Sequence, residues 1–248
     1  MTETDFSGAD SRREFLADRL GGVRERIAAA CAAADRASDS VRLLAVTKTF
    51  PASDVALLGD LGLTEFGENR AQDASVKAAE VAAMRPGRAV RWHMVGSVQR
   101  NKARGVARWA DVVESVDSPR LAEALAKGSA AARAAGERES RLDVMVQVSL
   151  DGAAGRGGCS PDEVPQLAEV IGQSSELRLI GVMAVAPLTG DPQRSFETLR
   201  TVSDLLKRDH RDAVEISAGM SNDLERAIAA GSTSVRVGTA LLGTRPIA

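Results

Sequence analysis

The sequence predicts a single (β/α)8 barrel, a TIM barrel, with an extra N-terminal helix. Three observations carry the prediction. Short apolar runs alternate with longer amphipathic segments about eight times, a rhythm that implies a parallel sheet with right-handed crossovers. Helix start and stop signals fall between the runs. The 248 residues contain no Pro/Gly/Ser-rich linker, so one domain spanning 1–248 is expected. Eight units favour closure into a barrel. A doubly wound open sheet is the second architecture that this rhythm allows.

The elements follow in order. Residues 1–10 are polar and are expected to lack fixed structure. A helix is predicted over 11–36: Ser11 and Glu14 have capping-box spacing, in which each side chain reaches the other's free backbone N–H. Leu16, Leu20, Val23, Ile27 and Cys31 then recur at helical period, with Gly21 and Gly22 weakening the middle. The strand candidates are 42–47 (RLLAVT), 63–67 (LTEFG), 91–95 (RWHMV), 112–116 (VVESV), 142–148 (LDVMVQV), 178–185 (RLIGVMAV), 213–217 (AVEIS) and 234–237 (SVRV). Ser118-Pro119, Ser160-Pro161 and Asp191-Pro192 each set a capping side chain before a proline at the first helical position. Ser160 and Glu163 repeat the capping box. Gly62 and Gly231 read as helix stops just before a strand.

Composition removes several function classes. Lys+Arg 32 against Asp+Glu 34 gives a net charge of -2, with no electrostatic footprint for nucleic acid. No apolar stretch approaches a membrane span, and MTETDFSGADSRREF lacks the apolar region of a signal peptide. Cys31 and Cys159 stand far apart and read as reduced thiols of a cytoplasmic protein. With only two histidines, His93 and His210, a histidine-rich metal site is not expected.

In such a barrel the chemistry sits where strands end. The first strand ends in Lys48 and the second in Glu68-Asn69. The third carries His93 and the sixth Met183. The seventh ends in Ser217-Ala218-Gly219-Met220-Ser221, and the eighth carries Arg236 and ends in Gly238-Thr239. Hydroxyls and glycines after the last two strands suit a phosphate, although such residues also make ordinary turns. Ser217 and Thr239 offer hydroxyls, and Gly238 lets backbone approach an anion. Ser221 reads as the cap of the following helix. A lysine at a barrel mouth is partly desolvated, which favours the neutral, nucleophilic amine; its alternative is an amine reaching into water. An amine facing a phosphate site suggests pyridoxal 5′-phosphate (PLP), an aldehyde and a phosphate in one molecule. Arg236 would then lie near the pyridine nitrogen and keep it unprotonated; its alternative is an ion pair, with Glu215 as one candidate. His93 reads as a hydrogen-bonded core residue or a catalytic one. Asn69 reads as a ring contact or a helix cap. Met183 and Met220 read as packing residues.

LLAVTKTFP (43–51), EFGENRAQ (65–72), WHMVGSVQRNK (92–102), GVMAV (181–185) and SAGMSNDLERAIAAGSTSVRVGTALLG (217–243) together resemble the PLP homeostasis protein family, the YggS/PROSC-like group. The resemblance runs from about residue 40 to the end. It implies a barrel like the N-terminal domain of alanine racemase, with PLP as an internal aldimine on Lys48. It implies Arg236 at the ring nitrogen, Ser217, Gly238 and Thr239 at the phosphate, and Asn69 beside the cofactor. It also implies PLP binding and vitamin B6 balance without robust turnover, with PLP-dependent apoenzymes as candidate recipients. SVQRNK departs from the P-L-Q-x-N-K form of relatives, in a loop that holds no cofactor residue. The glycine-rich loop 151–159 is expected to be mobile, with Arg156 either solvated or binding an anion.

The competing enzyme is a PLP-dependent amino-acid racemase of the alanine racemase type. Racemisation needs a base on each face of Cα. In racemases of that fold the second base is a tyrosine, and this chain has none. Few residues follow the last strand to form a second domain. A sugar-phosphate aldolase using Lys48, and an interaction scaffold, explain fewer of the strand-end residues.

Overall fold

The computed structural model describes residues 3–152, 157–187 and 190–244, with backbone alone for 3–7 and 9. Arg156 lies outside the described residues. Eight parallel strands close into a barrel in sequence order, each pairing with the next and the eighth with the first. They are β1 (Arg42–Val46), β2 (Glu65–Glu68), β3 (Arg91–Met94), β4 (Val112–Val116), β5 (Leu142–Gln147), β6 (Leu177–Met183), β7 (Glu215–Met220) and β8 (Ser234–Val237). The closed barrel thus replaces the open-sheet alternative. Every strand overlaps the apolar run that predicts it, with shifts at some ends. β2 begins at Glu65 rather than 63, β6 ends at Met183 rather than 185, and β7 runs from Glu215 to Met220 rather than over 213–217. Ala218 and Gly219 read as turn residues but continue the wall.

The helices are α1 (Glu3–Ala33), α2 (Ala52–Asp60), α3 (Ala71–Met84), α4 (Ala103–Trp109), α5 (Pro119–Ala134), α6 (Val164–Gly172), α7 (Pro192–Asp209), α8 (Leu224–Ala229) and α9 (Thr239–Leu242). α1 starts eight residues before the expected Ser11, so residues 3–10 are helical and Ser11 and Glu14 fall inside it. The polar stretch before Ser11 contains no proline, and nothing in it stops a helix. The predicted stripe holds: Leu16, Leu20, Val23, Ile27 and Cys31 are all buried, against α2, α8 and α9. The capping box of Ser160 and Glu163 is formed, and the Asp191 side chain accepts the Gln193 N–H at the start of α7. Gly62 and Gly231 adopt φ of +88° and +101°. In each case the next residue's N–H reaches back to close the helix, Leu63 onto Leu58 and Ser232 onto Ala227, the pairing that satisfies orphan carbonyls at a helix end. Both cysteines are buried and unpaired.

Apolar packing forms two large bodies outside the barrel wall. One lies under α4–α7 and the other under α1–α3, α8 and α9. The apolar cluster of Val112, Met145, Ile180 and Met183 is small by comparison. Its strand partners inside the barrel are polar, and they organise the site.

Candidate active site at the C-terminal mouth

β1 ends at Val46, and Thr47 and Lys48 follow. Thr49 takes φ of +71°, uncommon for a non-glycine residue, and Lys48 and Thr49 form a turn after the strand. Lys48 is exposed. The burial expected for its amine is not supplied by neighbouring side chains, because the strand stops two residues before it. β1 stands between β2 and β8, so the strand ends beside Lys48 are those of Asn69 and of Gly238-Thr239. Asn69 is half-buried, and it does not cap α3, whose cap position is Arg70. Its backbone is held tightly. A Cβ placed on Gly96 would lie 2.2 Å from the Asn69 carbonyl oxygen. Gly238 caps α9, Thr239 is exposed at the rim, and Arg236 lies below them in β8.

Thr47 is anchored from behind. Its hydroxyl donates to Glu68 Oε1 at 2.7 Å, and Lys77 Nζ donates to its carbonyl at 2.8 Å. Lys77 also pairs with Glu68. The motifs above do not include Lys77, but a signal existed: Ala74, Lys77 and Val81 form the buried stripe of α3, and a lysine on an apolar stripe needs a partner.

A second network fills the barrel interior. Glu114 on β4 accepts from the Ser217 hydroxyl on β7 at 2.6 Å. These strands are not neighbours, so the bond crosses the interior. Arg236 Nη1 donates to the Ser217 hydroxyl at 2.6 Å and to its carbonyl at 2.8 Å, and Nη2 donates to the Ala184 carbonyl at 2.6 Å. Three bonds occupy at most three of five guanidinium N–H groups, leaving at least two without a partner among the described residues. The other Glu114 oxygen lies 2.7 Å from His93 Nδ1. His93 Nε2 lies 3.3 Å from Glu65 Oε2, an ion-pair distance whose alignment falls short of a hydrogen bond. Glu65 in turn faces Arg42 and Arg91.

Charges alternate along this column, and that alternation sets the ionisation. Burial pushes His93 down, but its hydrogen bond to Glu114 and the facing Glu65 carboxylate outweigh it and raise its pKa to about 9. Burial pushes Glu114 up, yet His93, Arg236 and Ser217 hold it below the usual carboxylate range. Glu65 is likewise held low against burial by His93, Arg42 and Arg91. Burial draws Arg236 downward, opposed by Glu114 and Asp223; a guanidinium stays protonated regardless.

Several expectations change. Ser217 is fully buried in mid-strand with its hydroxyl already engaged, because β7 runs three residues past it. Arg236 faces Glu114, at 3.8 Å, while Glu215 pairs with Arg42. Ser221 does not cap α8: the cap position is Asp223, whose carboxylate accepts the Met220 N–H, and the Ser221 carbonyl accepts from Arg26. Met183 packs in the interior, whereas Met220 is exposed at the rim. His93 is a buried, hydrogen-bonded core residue.

The closed parallel barrel, with an exposed lysine after its first strand and a buried arginine on its last, is of the alanine racemase-like fold class. Residues 23–246 match the family model of the alanine racemase N-terminal domain. The chain belongs to the pyridoxal phosphate homeostasis protein family. It is 47% identical over 249 residues to the Mycobacterium leprae protein of that name, covering 97% of this chain and 96% of the relative. It is also similar to PipY of Synechococcus elongatus, solved with PLP bound: TM-score 0.74, 32% identity, covering 92% of this chain and 100% of PipY. Alanine racemase from Corynebacterium glutamicum shares the fold at TM-score 0.67 and 13% identity, over 97% of this chain and 62% of the racemase.

Proposed function

We propose that this chain binds PLP, bonded covalently to the Lys48 amine, and serves PLP homeostasis in the cytoplasm without sustained turnover. The observation that carries the reading is one pair of residues on adjoining strands. Lys48 offers a free amine just beyond β1, and Arg236 on β8 has guanidinium N–H groups left for a ligand. When bound, PLP supplies an aldehyde that an amine captures and a ring that draws electrons.

The chain's own residues then have distinct tasks. Lys48 holds the aldehyde carbon. Arg236 donates to the ring nitrogen and, having no proton to give up, leaves it unprotonated. The Gly238 backbone and Thr239 hydroxyl face the phosphate, and Asn69 lines the ring. Ser217 acts through Arg236, since its hydroxyl is already held between Arg236 and Glu114.

Racemisation is the poorer reading. The sequence has no tyrosine. His93, the interior histidine, lies behind Glu114 with its ring nitrogens facing carboxylates. It cannot reach a substrate as a second base. Reversible attachment without a second base suits a carrier, with PLP-dependent apoenzymes as recipients.

The test is a visible spectrum of the PLP-loaded protein before and after borohydride, followed by peptide mapping. The expected result is a visible band abolished by reduction, with the pyridoxyl adduct on Lys48. PLP that adds nowhere, or on another lysine, overturns the reading and favours a sugar-phosphate ligand.

A further inference from the structure

Barrel interiors of this type are commonly filled with branched apolar side chains. Here a file of charged groups runs through the interior instead. Arg236 on β8 is followed by Glu114 on β4, His93 on β3, Glu65 on β2, and then Arg42 on β1 and Arg91 on β3. Glu215 on β7 closes on Arg42, and Asp143 on β5 on Arg91. His93, Glu114 and Arg236 are each 5% exposed or less. Burying charge is costly unless each group is paired. A neutral interior would therefore be simpler, and the file needs a reason.

That reason lies at the arginine end. Glu114 divides its two oxygens: Oε1 faces His93 at 2.7 Å, and Oε2 takes the Ser217 hydroxyl at 2.6 Å. Oε2 stays 3.8 Å from Arg236 Nη1, beyond hydrogen-bond range. Ser217 fills the gap, bonded to both. The carboxylate thus leans on the histidine and leaves the guanidinium open.

We infer that His93 is a positioning residue for Arg236: clamped between Glu65 and Glu114, it holds Glu114 off the arginine and keeps the guanidinium's remaining donors, and its positive field, directed at the PLP ring nitrogen. This rests on the reading of Lys48 and Arg236 given above. His93 touches neither cofactor nor substrate; it acts through Glu114. Its protonated form is what the clamp requires, and its pKa of about 9 keeps that form at neutral pH. Without the imidazolium, Glu114 swings onto Arg236, takes up the free donors and cancels part of the charge facing the ring.

The test compares PLP-loaded wild type with His93→Gln and Glu65→Gln. The readouts are borohydride trapping at Lys48, PLP affinity, and the pH midpoint of the bound cofactor's visible band. A less positive field makes protonation easier, so His93→Gln raises that midpoint by about one pH unit, a tenfold change in proton affinity. PLP binding weakens ~10-fold, the scale of losing one hydrogen bond to a charged group. Glu65→Gln alters no residue that touches Arg236 but removes one side of the clamp on His93, which loosens Glu114 and shifts the midpoint the same way by less, so it decides the matter should His93→Gln fail to fold. In the apo protein, imidazole NMR assigned with His210→Asn finds His93 protonated at neutral pH. A His93 that serves structure alone lowers thermal stability and leaves midpoint and affinity unmoved; that outcome, or a neutral His93 at pH 7, overturns the inference. Wild type that fails to trap PLP on Lys48 overturns the parent reading instead, and the imidazole titration still judges the clamp.

Discussion

Lys77 donates to the Thr47 carbonyl one residue before Lys48, so a helix residue 29 positions away in sequence fixes where the mouth begins. Removing it strands Glu68, buried and negative. Lys77→Met is expected to cost about 3–5 kcal/mol, the usual scale for breaking one side of a buried pair. Adding Glu68→Gln should recover part of that loss in urea denaturation. His93 gives the pH dependence at this scale. Its pKa rises on folding from 6.5 to about 9, so the folded chain binds that proton more tightly. The stabilisation is full below pH 6.5 and is lost as pH rises through 9. Glu65 and Glu114, held below their ordinary 4.5, act oppositely: their contribution is present above 4.5 and lost as pH falls below it. The apo protein should therefore be most stable between these limits. The alkaline loss is on the order of 3 kcal/mol and should be largely absent in His93→Gln, read by urea midpoints across pH.

At the scale of elements, the loops after β2 and β3 are pressed together at Gly96. A methyl there would sit 2.2 Å from the Asn69 carbonyl oxygen, a contact with backbone that no rotamer relieves. Gly96→Ala is expected to lose about 2 kcal/mol or more in thermal melts and to weaken PLP binding, because Asn69 moves with its loop. Most elements were readable from local signals. The caps at Ser160 and Asp191 and the stops at Gly62 and Gly231 act within a few residues, so sequence spacing reveals them. The end of β7 is not legible in the sequence because Ala218 and Gly219 carry no bulky side chain. They lie in a register shift, and the strand continues because Met220 pairs with Arg236 of β8 beyond them. The start of α1 is not fixed by local signals, because the Ser11-Glu14 box is only one of the starts its sequence permits.

Across the whole molecule, ion pairs tie strands together at the N-terminal end of the barrel. Asp143 on β5 receives Arg91 from β3 and Arg178 from β6. Both arginines are partly exposed, so the pairing is weaker than a fully buried one. Asp143→Asn is expected to cost about 2 kcal/mol, and added salt should narrow its gap to wild type by screening the repulsion it exposes. By itself the sequence determined the strand count, the parallel order, the family, and the lysine and arginine at the ends of the first and last strands. Each is written in local periodicity, or in residues that hold one place along the chain. Only the closed barrel decided that the Ser217 hydroxyl is bonded between Arg236 and Glu114, that Glu114 is shared with His93, and that Lys77 stands behind Thr47. Those relations join residues up to 103 positions apart across an interior, and a charge inside a barrel finds its partner by position in space, which no spacing along the chain records.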